Sequence, residues 1–177
     1  MDNLQDQDRN YALNIRVGLT IYPSQDKAIE QALLLLKDRC PAQFILLADS
    51  SGQLISIQGE RGSLDVVALS ALVAGDVAAS HEIAAMTNQL DSCQMVLREG
   101  KKSSSFTCEA GKYMVLFVQI PGETPLGWAR ILIRETAEKI AEIVDRLPDP
   151  EDHLAAGLDN MPLDASLDSA IDSLWMG

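Results

Sequence analysis

The stretch from Ser63 to about Leu90 constrains the fold more than any other part of this chain. Its first three turns, Leu64 to Ala74, are apolar nearly all the way round, and only further on do Asp76, Ser80, His81 and Glu82 restore a polar face. That pattern reads as one long helix with Ser63 as its cap. In a water-soluble protein such a helix has to be covered on more than one side, because a single packed layer hides one stripe and leaves the rest in water.

The flanking sequence supplies a sheet to pack against. Tyr11 to Tyr22 alternates, with Tyr11, Leu13, Ile15, Val17, Leu19 and Ile21 on one face, as in a half-buried strand. Ser24 is the expected cap of a helix whose stripe is Ala28, Ile29, Ala32, Leu33 and Leu36, ending near Pro41. Phe44 to Ala48 is apolar on both faces, as in a central strand, and Asp49-Ser50-Ser51-Gly52 turns the chain into Leu54 to Ile57. After the long helix, Cys93 to Arg98, Ser104 to Glu109 and Tyr113 to Ile120 read as three strands. Gly100-Lys101 as a two-residue loop pairs Arg98 with Ser103, which sets Met95 opposite Phe106 and Cys93 opposite Cys108. Ala110-Gly111 as the next loop sets Phe106 beside Val115 and Cys108 beside Tyr113. A last helix is expected from a cap at Thr124, with Pro125 at its first position, to Leu147, with Glu135 and Lys139 paired on its wet face.

Charge separates the ends from the middle. Seven of the 26 acidic residues and none of the 14 basic ones lie beyond Pro148, which leaves residues 1–147 with a net charge of only −5. The chain divides into a 1–22 extension with an added strand, a domain over 23–147 and an acidic tail over 148–177. In the tail Leu154, Leu158 and Met161, then Leu167, Ile171, Leu174 and Trp175, fall at helical spacing among aspartates, the pattern either of a partly disordered acidic tail or of a short amphipathic docking helix from about Ala165 to Trp175. The overall −12 argues against nucleic acid or an anionic membrane surface as partner, since both draw affinity from clustered Lys and Arg. Three cysteines and an N-terminus without an apolar signal segment point to the cytoplasm. No apolar run approaches the ~20 residues of a membrane-spanning helix.

Catalytic signatures are missing. His81-Glu82-Ile83-Ala84-Ala85 starts like a zinc-protease helix, but Ala85 stands where the second histidine belongs. Gly100-Lys101-Lys102-Ser103 lacks the earlier glycine of a phosphate loop and has no helix after it. No cofactor, no metal and no catalytic residue is expected. Cys93 opposite Cys108 would be a redox pair only outside a reducing compartment, and buried thiols are the default there. Arg61 and Arg98 are the exposed cations that a phosphate-handling partner could meet.

The order of elements resembles the Roadblock/dynein light chain family over about Ser24 to Leu147. The resemblance is carried by Phe44 to Ala48 with Asp49-Ser50-Ser51-Gly52 and Leu54-Ile55, by the small-residue-rich Leu64 to Leu90 helix, and by Leu126-Gly127-Trp128-Ala129-Arg130. It implies an α+β, profilin-like fold: a five-stranded antiparallel sheet with the long helix on one face and the other two helices on the opposite face. The Tyr11 to Tyr22 strand is extra. It implies a homodimer, or a heterodimer with a like domain, joined through the long helices and the Cys93 to Arg98 edge strand. Val67, Ala68, Ala71, Leu72 and Ala78 on the helix, with Cys93, Met95 and Leu97 on the strand, then form the interface. The family, its bacterial cell-polarity members included, binds Ras-like small GTPases as activators or scaffolds. That implies a non-enzymatic regulator working through the partner's own catalytic residues, with Arg61, Arg98, Leu167, Ile171, Leu174 and Trp175 as candidate partner contacts. The competing expectation is an assembly or sensor module with no GTPase partner.

Overall fold

Helix periodicity, strand alternation and turn chemistry become eight elements in the computed structural model, which describes residues 21–89 and 95–146. In chain order they are α1 (Pro23–Arg39), β1 (Phe44–Asp49), β2 (Leu54–Gly59), α2 (Val66–Met86), β3 (Met95–Glu99), β4 (Ser103–Glu109), β5 (Met114–Pro121) and α3 (Leu126–Asp145). All strand pairs are antiparallel and the order across the sheet is β2-β1-β5-β4-β3. β1 and β5 are internal strands: β1 is buried throughout, and β5 is buried except at Phe117, Gln119 and Pro121, which are half-buried. β2 and β3 are the margins.

The sheet separates two cores. On one face Ile29, Leu33 and Leu36 of α1 and Ile133 and Ile140 of α3 cover Ile45, Leu47, Phe106 and Leu116. On the other face, among the described residues, α2 lies alone, with Val66 and Leu69 over Leu46 and Ala48, and Val73 and Val77 over Val115. Phe44 and Phe117 meet edge to face there, centroids 6.3 Å apart. The arrangement is the α+β sheet with one helix against two that the family resemblance implies.

Helix starts lie elsewhere than the sequence suggests. Tyr22, not Ser24, is the N-cap of α1, because Pro23 takes the first helical position. Asp65, not Ser63, caps α2, its carboxylate accepting the Ala68 N–H at 3.0 Å. Pro125, not Thr124, precedes α3. Glu135 of α3 makes its ion pair with Arg39 of α1 at 3.7 Å.

Both hairpin registers also differ from expectation. β3 and β4 pair with Met95 opposite Cys108, Leu97 opposite Phe106 and Arg98 opposite Ser105. The Gly100 N–H reaches the Ser103 carbonyl at 3.0 Å, leaving Lys101-Lys102 at the tip. Relative to the expected pairing this is a slip of two residues, which keeps every side chain on its original face, so hydrophobic alternation cannot distinguish the two. β4 and β5 pair with Phe106 opposite Val118 and Cys108 opposite Leu116, around a Gly111-Lys112-Tyr113 loop closed by the Ala110 N–H to the Met114 carbonyl at 2.9 Å. The expected pairing of Phe106 with Val115 fails because β5 is apolar on both faces and tolerates either parity.

The β1–β2 turn seats α2. The buried Asp49 carboxylate accepts the Ser51 N–H at 2.9 Å, the Ser51 hydroxyl at 2.6 Å and the Gln53 N–H at 2.8 Å. Gly52 sits at φ +89, and a Cβ there would lie 2.7 Å from the Ala71 Cα. Only glycine lets this turn come that close to the helix backbone. α2, 21 residues long, also proves long and apolar enough to cross a membrane, contrary to the expectation for every apolar run, yet here one side of it is packed on the sheet.

Candidate interaction surface

Helical phase decides which part of α2 is left over. Ser70, Val73, Ala74, Val77 and Ala84 are turned to the sheet. The opposite side presents Val67, Ala68, Ala71, Leu72, Gly75, Ala78 and Ala79, continued by Ile83 and Met86. Val67 is 69% exposed, Leu72 71% and Met86 83%. Large apolar side chains flank a median strip of Ala and Gly. Such a strip lets a second helix approach closely, and contiguous apolar exposure of this kind marks an interaction site.

At one margin this face meets β3. The closed pair between Gly100 and Ser103 makes Arg98 and Val96 bond inward to β4, so the backbone N–H and C=O groups of Met95, Leu97 and Glu99 point outward from the sheet. Leu97 is 39% exposed, while Met95 is half-buried against the α1–α3 core. Apolar helix face and free strand edge are therefore neighbours on one side of the molecule.

Arg98 is not the unattached cation expected. Its guanidinium is bound to the Asp76 carboxylate on α2, and Nη1 donates to the Thr107 hydroxyl at 3.3 Å. It ties the edge strand to the helix. Arg61 is exposed in the β2–α2 loop. The loop then carries Leu64, whose N–H bonds to the Arg61 carbonyl at 3.0 Å, into a recess that Arg98 also lines.

The register sets Met95, not Cys93, opposite Cys108. Cys93 itself lies outside the described residues, as do Leu167, Ile171, Leu174 and Trp175 and almost all of the Tyr11 to Tyr22 segment. Cys40 and Cys108 are both buried, and burial pushes the Cys40 thiol above its ordinary value. His81 approaches Glu109 at 3.4 Å on the rim of a shallow recess between α2 and the β4–β5 loop. Among the described residues no group of three or more His, Cys, Asp or Glu is placed to hold a metal.

Five residues were not singled out in the sequence. Gly75, Ala79, Ile83 and Met86 extend the apolar face, and following the helical period from Ala71 to the end of α2 finds them. Gln25 is buried and joins the two helices on the far side: its amide donates to the Ile143, Val144 and Arg146 carbonyls at 3.2, 3.3 and 3.1 Å, and its oxygen accepts the Tyr22 N–H at 3.0 Å. A glutamine three residues after a helix N-cap is the local signal for the last of these bonds.

Sheet order, the one-against-two helix arrangement and the uncovered central helix define a Roadblock-like domain. Within that class the domain is related to bacterial MglB. Myxococcus xanthus MglB is 29% identical, superposes with a TM-score of 0.63, and the match covers 67% of this chain and 96% of that one. An MglB from Thermus thermophilus, described as a gliding protein, is 21% identical with a TM-score of 0.65, over 74% of this chain and 98% of that one. The Roadblock/LC7 domain from Streptomyces avermitilis, at 20% identity and TM-score 0.53, covers 64% of this chain and 92% of its own, and supports the fold. No protein-family model and no curated protein matches the sequence.

Proposed function

We propose that this protein is a dimeric, cytoplasmic Roadblock-type regulator or scaffold that binds a Ras-like small GTPase and alters its GTP hydrolysis. The observation that carries the reading is the likeness to Myxococcus xanthus MglB, which extends over nearly all of that chain. GTPase binding is what the family resemblance implies. A solved MglB with a tetrameric arrangement accords with self-association in this group.

The geometry suits the dimer in two ways. The α2 face supplies apolar area with an Ala/Gly strip, and beside it β3, the marginal strand of the described sheet, turns backbone groups outward. A two-fold axis would cover both at once. In this reading the regulator binds and repositions groups of the GTPase, which performs the hydrolysis itself. Arg61 remains a cation available to that partner, whereas Arg98 acts as a fixed wall of the interface. The tail residues Leu167, Ile171, Leu174 and Trp175 are proposed as a second partner contact.

The test is a pull-down of Ras-like GTPases from the source organism, loaded with GDP or a GTP analogue, followed by single-turnover hydrolysis with and without this protein. State-dependent binding and a changed hydrolysis rate are expected. No binding in either state overturns the GTPase reading and leaves an assembly module.

A further inference from the structure

α3 carries its charges the wrong way round for its own stability. A helix dipole favours acids in the first turn and bases in the last. α1 obeys this, with Asp26 in its first turn and Lys37 and Arg39 in its last, whereas α3 has no acid in the first turn and no base in the last. Instead Arg130 and Arg134 lie in its N-terminal half and Glu138, Glu142 and Asp145 in its C-terminal half. Arg130 and Arg134, four residues apart, repel each other, and so do Glu138 and Glu142. Among the described residues none of these four has an ion-pair partner, and the buried Nε of Arg134 has no hydrogen-bond partner. Charges placed against the helix that carries them suit a second surface that meets them.

The same helix offers a projection and a recess. Leu132, Glu135, Lys139 and Glu142 form the stripe that borders α1, and Trp128, one turn before Leu132, continues it. α1 stops short of Trp128: Arg39, its last residue, pairs with Glu135 at 3.7 Å, so Trp128 stands about 10 Å further along α3. Its side chain is 44% exposed. Towards the other end of α3 the two helices leave an open recess of about 360 Å³, lined by the buried Ile143 and half-buried Ala28 and by the exposed Glu138 and Glu142.

We propose that the α1–α3 layer is a second self-association surface, on which two copies lay their α3 helices antiparallel across a two-fold axis beside Glu135. Trp128 and Glu142 are each seven residues from Glu135, so the axis brings the indole of each copy over the recess of the other. A two-fold lying between the layers and perpendicular to α3 keeps α1 of both copies on the same side, so Trp128 meets the groove and not the opposite flank. There its apolar ring gains cover, and its positive edge gains the acidic groups beside Ile143. By the same count Arg130 and Arg134 lie over positions 140 and 136 of the second copy and bracket its Glu138. Glu135, at the axis, is already paired with Arg39 of its own chain. Every contact occurs twice, and each repelling pair of one copy meets the opposite charge of the other. The surface is on the other side of the sheet from α2, so changes in it leave the α2 contact unaltered, and the proposal needs no GTPase partner.

A charge swap tests it by sedimentation equilibrium on the full chain, with Leu72→Ala present throughout to weaken association through α2. Arg130→Glu/Arg134→Glu makes both halves of α3 acidic, and Glu138→Arg/Glu142→Arg makes both basic. Each variant alone should raise the Kd of the remaining association step at least about tenfold, because like charges then face each other at both contacts. An equimolar mixture of the two should return the Kd to within about threefold of the starting protein, because an acidic copy then faces a basic one. Trp128→Ala should raise the Kd at least about tenfold with every charge in place. Circular dichroism verifies that each variant is folded; should one not fold, the starting protein decides, since its Kd should rise at least about tenfold from low to high salt and a Kd independent of salt overturns the proposal. Folded reversal variants or a Trp128→Ala variant that associate like the starting protein overturn it, as does a starting protein that stays monomeric at every concentration. A mixture that associates no better than its components also overturns it, because the charges then serve some other protein.

Discussion

Replacing Leu72 by alanine tests the α2 interface most directly. Leu72 is 71% exposed in the single chain, and its neighbours on the outer face are small. Burying a leucine side chain completely stabilises by about 1.5–3 kcal/mol, so covering the exposed part is worth about 1–2 kcal/mol. In a two-fold dimer the residue counts twice, about 2–4 kcal/mol, which raises the dimer Kd roughly 30- to 700-fold. Because the side chain points away from the sheet, the folded monomer should be unaffected, and circular dichroism and the urea midpoint under monomeric conditions should match the parent. The assay is sedimentation equilibrium over a dilution series. Ile131→Ala, removing a 58% exposed residue from the α3 layer, is the control and should leave the Kd unchanged. A Leu72→Ala Kd within about threefold of the parent, in a protein shown to be folded, would refute α2 as the self-association surface.

Gly52→Ala should lower stability by about 2–4 kcal/mol, since it adds left-handed strain to a backbone contact with Ala71, whereas Gly62→Ala, at φ +53 with nothing within 4 Å, should lose only about 1–2 kcal/mol; paired urea titrations separate the two. Gln25→Ala removes the ties to three α3 carbonyls and should cost about 1–3 kcal/mol, with faster amide exchange at the C-terminal turn of α3 and little change in α2. Cys40, fully buried with its thiol pushed above the ordinary value, should resist iodoacetamide at pH 8 in the folded protein and react on denaturation; rapid native labelling would contradict its burial.

Much of this architecture is legible in local sequence. The apolar runs Phe44–Ala48 and Met114–Ile120 identify internal strands because both faces demand cover, and Asp49 to Gly52 identifies a turn from side-chain hydrogen bonding and a positive φ. Pairing register was not legible. A two-residue slip in β3–β4 preserves facing, and β5 has no polar face to penalise an odd slip, so loop closure and cross-sheet packing choose the register instead. Helix caps were misplaced for a related reason: several Ser, Thr and Asp residues near each start satisfy the same donors, and prolines and tertiary contacts select among them.

For the candidate surface, periodicity alone showed that the Leu64 to Leu90 helix has more apolar circumference than one sheet can cover, and Val67, Ala68, Ala71, Leu72 and Ala78 do lie outward. That conclusion follows from the angular spacing of side chains, a property of the chain itself. Binding of Arg98 by Asp76, the union of α1 and α3 through Gln25 and the packing of α1 on β2 depend on distances between residues far apart in sequence. Local pattern determined the elements and their apolar faces; only the tertiary structure decided which charges are already satisfied and which strand edges remain open, because both are settled by three-dimensional neighbours that no sequence window contains.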